Sequence, residues 1–543
     1  MNRKIILIVI LGAALALRLS HFWFISQSAF PKITFYFSES DMHATWEWAR
    51  TIVGGDLLGR DTYHPYFRWM KEIAPLETWY RFWGGKEIFQ QAPLYAYWVA
   101  ALAAASRSSI NFIFFCQLIL GVAQGWIMFL LGRRLFGETA GLIAAALTAL
   151  YGPFVFYQAT LLRDWLPPII ESAALLLMLR AAERGKWADW ALAGAAAGAA
   201  VLTRESGVLL LPVALVWLLV ERARFVKPAA LLLAGFLVAL SPLIVRNAIV
   251  GAPPLALSNR AAETLIEGNA AEASGAGVDT RPIGAILHGT DGRIASVIGA
   301  IVKGYRGNPR AALDKYASKL RTVLGAPEIP DNLSYDYGRE TSPVLLFTIS
   351  FGLLLTLGVV GVFLRPRARL LEIYGLISLA ELMILPAVGR YRLVLAAVLI
   401  LYAAAGASSL YQSWEPNTPR LWRIAIAAGA VFFLVYMVLP LPQTVGEADL
   451  SPLHNGVEYI AAINIYADEK RFDEAEAELQ RYQNAARYAE RRDLQTEAYV
   501  MLIKLYQEWA QWLQANGKIE QAQRRMRQAE FLNDQLTTPG GMP

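Results

Sequence analysis

The chain has 543 residues, is 56% hydrophobic, holds only 17% charged residues and carries a net charge of +6. Ordinary soluble domains are about a quarter charged, whereas here apolar stretches long enough to cross a hydrocarbon core of about 30 Å recur along most of the length. This composition excludes a soluble globular protein. The Lys and Arg residues also sit in short clusters between apolar stretches, so the basic balance does not point to nucleic acid.

In chain order the pattern predicts an all-α polytopic membrane protein. Its eleven spans fall near 5–24, 111–132, 139–157, 164–181, 187–203, 206–221, 228–245, 343–364, 370–388, 393–411 and 421–441. The N-terminal MNRKIILIVILGAALALRL contains Ala14-Leu15-Ala16, which mimics a signal-peptide cleavage site. The apolar run continues through Phe22, Trp23 and Phe24, however, and reads as an uncleaved first span. Counted so, six basic clusters share one face: Arg3-Lys4, Arg133-Arg134, Arg180 with Arg184 and Lys186, Arg222 with Arg224 and Lys227, Arg365 with Arg367 and Arg369, and Arg420 with Arg423. That face is expected to be cytoplasmic. Cys116, the single cysteine, lies in an apolar stretch and leaves no intrachain disulfide.

Residues 1–442 then form one membrane domain with two large loops on the far side, at 26–110 and 248–342. The segment QQAPLYAYWVAALAAA in the first loop is too short and interrupted for a span and reads as an amphipathic interfacial helix. The second loop is rich in Gly, Ala and Asn, with turn signals at Gly307-Asn308-Pro309 and Ile329-Pro330-Asp331-Asn332. Residues 443–543 form a polar helical tail on the same side. YADEKRFDEAEAELQRY and WLQANGKIEQAQRRMRQAEFL each read as helix, turn, helix and resemble tetratricopeptide hairpins, with Phe472 and Ile519 equivalent. That offset is longer than the repeat's usual length of about 34 residues. The tail reads either as a cap that protects the loops or as a surface that recruits a polypeptide partner.

Ionisable residues near spans are costly and normally face a cavity or a partner. On the far side they gather at span ends: Arg18, Asp41, Arg163-Asp164, Arg204-Glu205, Arg246-Asn247, and Arg390 and Arg392 in GRYR. Snorkelling explains any one of these arginines. A shared anionic ligand at the membrane surface explains them together, and a phosphate on a lipid suits arginine forks.

These motifs, in order, resemble the polytopic GT-C glycosyltransferases, especially the protein-mannosyltransferase-like branch that includes lipid A aminoarabinose transferases. Arg18-Leu19 in the first span, SDMHATWEWARTIVGGD in the first loop, QQAPLY, GRRLFG, LTRES, SPLIVRNAIVG with a later EGN, and GRYRLVLAAVLILYAAAG carry the resemblance, which covers about Arg3 to Gly406. Two departures stand out. Asp41 is followed by Met42, and the usual His/Lys-Pro-Pro-Leu is Gln91-Ala92-Pro93-Leu94. The resemblance implies a polyprenyl-phosphate-linked sugar as donor and a protein, glycolipid or glycan acceptor on the non-cytoplasmic side. It implies inverting transfer, with Asp41 as base and Lys86, Arg204, Arg246, Arg390 and Arg392 as donor-phosphate contacts. Arg18, Glu39, Asp164, Asn247 and Tyr391 are the supporting residues. From local sequence alone, Asp41 also reads as a helix cap and Asp164 as an ion-pair partner of Arg163.

Glu39, Asp41, His43 and His64 could supply metal ligands, but their spacing marks no closed site. No cofactor is expected, and divalent-metal dependence is the minority reading. A lipid-linked sugar flippase is the alternative function; internal repeats would favour it, whereas the charges gather at span ends. A non-enzymatic scaffold would leave the first-loop acid unexplained. The topology suits a single cell membrane or an endoplasmic reticulum equally; the absence of targeting signals and the compact loops point to a bacterial inner membrane, N-terminus cytoplasmic and C-terminus periplasmic.

Overall fold

The computed structural model describes residues 2–60, 62–221, 225–276, 280–364, 368–412, 429, 431, 444–445, 448–449 and 456–537. The fold is all-α, as the apolar pattern predicts. Five helices are long and apolar enough to cross a membrane: Arg3–Gln27, Ile110–Phe136, Arg163–Arg184, Val226–Val250 and Gly389–Ser409. The other described spans of the sequence reading also fall on helix, but shorter or broken. The stretch 139–157 is split into Glu138–Leu150 and Gly152–Tyr157, with Pro153 entering the second piece. The stretch 343–364 opens with a 3₁₀ turn, Pro343–Phe347, before the helix Phe351–Leu364. Predicted span 421–441, the domain boundary at 442, and Arg222, Arg224, Arg365, Arg367, Arg420 and Arg423 lie essentially outside the described residues.

Large apolar side chains on these helices, such as Ile8, Val9, Trp126, Leu219, Val238 and Phe363, are exposed. In an integral membrane protein such positions face lipid, which supplies no force to hold helices together, so helices must pack by close backbone contact. The helices Trp187–Thr203 and Val226–Val250 do so through glycines. A Cβ at Gly194 would lie 1.9 Å from the Leu232 carbonyl oxygen, and one at Gly235 the same distance from that of Ala191. At one set of helix ends the basic residues pair with acids of neighbouring helices: Arg3 with Glu138, Arg134 with Glu183, Arg180 and Arg184 with Asp189, and Arg369 with Glu221.

Both loops are helical. The first holds Phe30–Tyr36, Asp41–Val53, Arg68–Ile73, Leu76–Trp83 and Leu94–Ser106. The last of these corrects an expectation. It buries Tyr95, Ala96, Val99, Ala100 and Ala103, but its other face is also apolar, so it packs against Asp41–Val53 and is not amphipathic. The second loop, which reads as turns in the sequence, folds into Ala261–Asn269, Thr280–Gly289, Ile294–Gly304, Pro309–Val323 and Tyr335–Thr341.

The tail forms four helices, Val457–Asp468, Phe472–Tyr488, Arg492–Ala515 and Ile519–Thr537. Phe472 and Ile519 each open the second helix of a pair, yet Phe472 is buried against Trp509 whereas Ile519 is half exposed, so the two positions are not equivalent in packing. The tail docks on both loops. Lys32 pairs with Glu469, Tyr36 donates to Asp468, and the Ala29 amide donates to the Tyr466 hydroxyl. Glu340 in the second loop takes Tyr459 at 2.9 Å and Arg481 at 3.1 Å. Glu458 accepts the Ser334 amide.

Burial pushes the Glu458 carboxyl up from an ordinary 4.5 to about 7, against the opposing hydrogen bonds from its own amide and that of Ser334. The folded state therefore holds this proton where the unfolded chain has lost it, and stability falls as pH rises from about 4.5 to 7. Glu458→Gln is expected to flatten that fall and to raise the detergent melting temperature at pH 8 but not at pH 4.5, with a gain of up to about 3 kcal/mol. Melting curves of the two proteins across this range check it.

Candidate active site

Helix Asp41–Val53 starts beside the membrane domain, and its cap is Ser40, whose hydroxyl accepts the His43 amide at 3.1 Å. The capping role open to Asp41 in the sequence is thus taken by its neighbour, and the Asp41 carboxylate turns to other partners. Oδ2 takes Arg390 Nη2 at 2.8 Å and Asn332 Nδ2 at 3.2 Å, while Oδ1 takes Arg260 Nη1 at 3.2 Å and Gln91 Nε2 at 3.4 Å. The Asp41 amide donates to Asn332 Oδ1 at 2.6 Å. Burial works against ionisation of Asp41. The guanidiniums of Arg260 and Arg390 outweigh it and hold the carboxyl far below its usual range.

Arg390 stands at the centre. It is 7% exposed and bridges three carboxylates: Asp41, Asp164 at 3.0 Å and Asp331 at 2.5 Å. Asp164 continues the chain to Arg204 at 2.9 Å, and Arg204 lies over the Tyr391 ring, 4.0 Å from its centroid. Short 3₁₀ turns at helix ends deliver these groups. Arg163–Trp165 presents Asp164, Gly389–Arg392 presents Arg390 and Tyr391, and Arg204 stands just before Glu205–Leu209. A Cβ at Gly389 would lie 2.6 Å from Glu328 Oε2 and 3.2 Å from the Ile329 carbonyl oxygen, so any side chain there would displace the Glu328 carboxylate. Arg163 pairs with Glu205 at 3.2 Å and not with Asp164, so the neighbour pairing open in the sequence is not formed. Glu205 also accepts the Ala92 amide at 2.8 Å, tying QQAPLY to this cluster.

The structure brings together Asp41, Asp164, Arg204, Arg390 and Tyr391 and sends the other expected residues elsewhere. Arg246 spends each of its five N–H groups on the first loop and its own neighbour: the carbonyls of Leu58, Gly59 and Glu87, the Thr62 hydroxyl and Asn247 Oδ1. Its guanidinium also lies over Phe89. Asn247 binds the carbonyls of Pro253, Pro254 and Ala256. Arg392 holds the carbonyls of Gly325 and Pro327 and pairs with Glu328. These residues fasten loops, and the donors of Arg246 are all committed to protein acceptors rather than to a phosphate.

Arg18 does not end the first span, because the helix continues to Gln27. It is fully buried, with its Nε on Gln158 Oε1 at 3.0 Å. Glu39 accepts the Arg68 amide at 2.9 Å, and Lys86 is exposed in the turn after Leu76–Trp83. His43 and His64 bond to backbone carbonyls of Thr34, and of Thr62 and Ile88, so with Glu39 and Asp41 they do not gather as one ligand set. Among the described residues no group of three or more His, Cys, Asp or Glu could hold a metal ion.

Sequence reasoning missed Arg260, Asp331 and Asn332. Asp331 and Asn332 carry a signal that reads as a turn, and Arg260 precedes its helix without any motif. Gln91 reads as a departure from the family pattern, yet it touches Asp41.

Removing Arg390 would leave Asp331 without its cation and take one of two arginines from Asp41 and from Asp164, and breaking buried pairs in this way typically costs about 3–5 kcal/mol. Arg390→Met is expected to lower the melting temperature strongly. Adding Asp331→Asn should restore part of the loss, since the carboxylate left without its cation disappears, and a double-mutant cycle of melting temperatures checks the coupling.

No curated protein sequence matches the chain. The archaeal oligosaccharyltransferase AglB from Archaeoglobus fulgidus, solved in complex with an inhibitory peptide and a dolichol-phosphate, aligns with a TM-score of 0.44 at 16% identity, over 87% of this chain and 59% of that one. ArnT from Cupriavidus metallidurans bound to undecaprenyl phosphate aligns with a TM-score of 0.33 at 15% identity, over 70% of this chain and 77% of that one. The chain thus spans about three fifths of the archaeal protein's length. Residues 90–245, the stretch that supplies Gln91, Asp164 and Arg204 to the cluster, match the family model of the dolichyl-phosphate-mannose-protein mannosyltransferases, which bears out the resemblance read from the motifs.

Proposed function

We propose that this chain is an inverting glycosyltransferase that moves a sugar from a polyprenyl phosphate to an acceptor hydroxyl on the extracytoplasmic side of a bacterial inner membrane. The family match supports a lipid-phosphate donor. The observation that carries the reading is Asp41: a carboxylate freed from capping duty, held ionised between two guanidiniums at the junction of the first loop, the second loop and the span ends.

The acceptor oxygen forms a bond to the anomeric carbon as the bond from that carbon to the phosphate oxygen breaks, inverting the configuration. Asp41 takes the acceptor's proton. The phosphate leaves as a monoester with one more negative charge than it had in the donor, so cations beside it bind the transition state more tightly than the ground state. Arg260 suits that place. Its side chain is 18% exposed against 8% for Arg390, and it is paired to Asp41 alone among the described carboxylates within salt-bridge distance.

The resting ion pairs suppress the basicity of Asp41. A donor phosphate that draws Arg260 onto itself would remove one of the charges that lower the carboxyl, and so raise its basicity when the sugar is in place. Asp164 acts one step away. It holds Arg390 and Arg204 in the orientation that presents Arg390 to Asp41. Because the tail contacts both loops, it lies on the same side as the site.

Purified protein in detergent, given a panel of polyprenyl-phosphate sugars and a membrane extract as acceptor source, should release free polyprenyl phosphate. Asp41→Asn is expected to cut turnover by at least about a hundredfold with donor binding kept, as removal of a positioned base does. Unchanged turnover would remove Asp41 from the chemistry.

A further inference from the structure

The helix that follows Arg260 carries a second set of polar groups which the reaction above does not use. Arg260 precedes helix Ala261–Asn269, and Glu263 and Glu267 follow at three and seven residues, on the same face of the helix. Glu263 is satisfied, since it accepts the Trp83 indole N–H at 2.5 Å. Glu267 is 5% exposed, and neither of its oxygens takes a hydrogen bond from any described residue; Oε1 is fully buried and unpartnered. Asn259 is equally exceptional. It is 6% exposed, and both its side-chain oxygen and its side-chain nitrogen are buried without a partner. Its amide donates to the Phe89 carbonyl, two residues before the Gln91 that touches Asp41.

Buried polar groups are normally paired. Here an unpaired carboxyl and an unpaired amide flank the arginine that pairs with Asp41. Burial raises the Glu267 carboxyl to about 8; Arg260 opposes the rise, and Glu263, Asp331 and Asp41 add to it. At neutral pH Glu267 is then mainly a neutral acid, which both donates and accepts a hydrogen bond. The Asn259 amide does the same. A sugar hydroxyl is itself both donor and acceptor, and complements either group.

We propose that Asn259 and Glu267 are the specificity-determining residues for the donor sugar: they hydrogen-bond hydroxyl groups of a hexose or pentose whose lipid phosphate lies on Arg260. This deepens the transferase reading and rests on it. The division of labour is chemical. Arg260 recognises the phosphate common to all such lipids, and Asn259 with Glu267 recognises what distinguishes one sugar from another. A site built to bond a hydroxyl discriminates strongly against a ligand that lacks it, because its own polar groups are then left unpaired.

The test compares binding of bare polyprenyl phosphate with that of polyprenyl phosphate bearing mannose, glucose or a deoxy sugar, using the full chain and the variants Glu267→Met and Asn259→Leu. Both changes remove hydrogen bonding at roughly constant volume. Wild type is expected to prefer at least one sugar-bearing lipid over the bare one. Each variant should lose about tenfold or more on that lipid and nothing on bare polyprenyl phosphate. The melting temperature of the ligand-free variants should hold or rise, because an unpaired buried polar group is replaced by an apolar one. An unaltered sugar preference in both variants would overturn the proposal while leaving the transferase standing. So would an equal loss on both lipids, or a fall in ligand-free melting temperature, either of which marks a structural role. Wild type that binds neither bare nor sugar-bearing lipid would overturn the transferase reading and this one with it.

Discussion

One buried guanidinium organises this molecule. Arg390 joins Asp41 from the first loop, Asp331 from the second loop and Asp164 from the start of a membrane helix, and no two of those segments are adjacent in sequence. A cation at 7% exposure is tolerable only when its charge is matched. The matching acids must therefore converge on it, and each brings its own segment along. Asn332 adds to the same constraint, bonding Asp41 through both its amide nitrogen and its oxygen.

Arginine does two different jobs here. Arg246 and Arg392 meet backbone carbonyls that have no helix or sheet partner, and their planar forks close off loop segments that would otherwise carry unsatisfied acceptors. Arg392 adds the Glu328 carboxylate to its carbonyls, whereas Arg204, Arg260 and Arg390 meet the carboxylates of Asp41 and Asp164. Carbonyl contacts are numerous and neutral, and they fix a shape. Carboxylate contacts balance charge, and an incoming anion can compete for them. That distinction separates the arginines that fasten loops from those that meet Asp41 and Asp164.

The tail belongs to the same arrangement. Glu458 binds the amide of Ser334, two residues after the Asn332 that holds Asp41, and Lys32 and Tyr36 of the helix leading to Asp41 bind Glu469 and Asp468. The tail thus supports both segments that meet at the site. Lys319 does comparable work from within the second loop. Fully buried, it donates to the carbonyls of Gly268 and Met383, at the C-terminal ends of the helices Ala261–Asn269 and Arg369–Ile384, where a cation complements the helix dipoles. It thereby anchors the helix that carries Glu267.

The sequence by itself determined the helical membrane class and most of the apolar helices, and it singled out Asp41, Asp164, Arg204, Arg390 and Tyr391, which the structure brings together. Span location follows from local hydropathy, and a charged residue at a span end is conspicuous because it is expensive there. What the sequence could not separate was Arg390 from Arg246 or Arg392, since all three stand beside polar turn residues at the end of an apolar run. Their partners lie far away in the chain, and only the tertiary structure decided which of them meets Asp41 and Asp164. The second loop shows the same limit. Asp331 and Asn332 carry the local signature of a turn, Arg260 carries none, and Glu267 sits in a short helix among small residues. Each acquires meaning only when the long-range ion pairs bring the two loops together, because charge compensation depends on distance in space and leaves no periodicity in the chain.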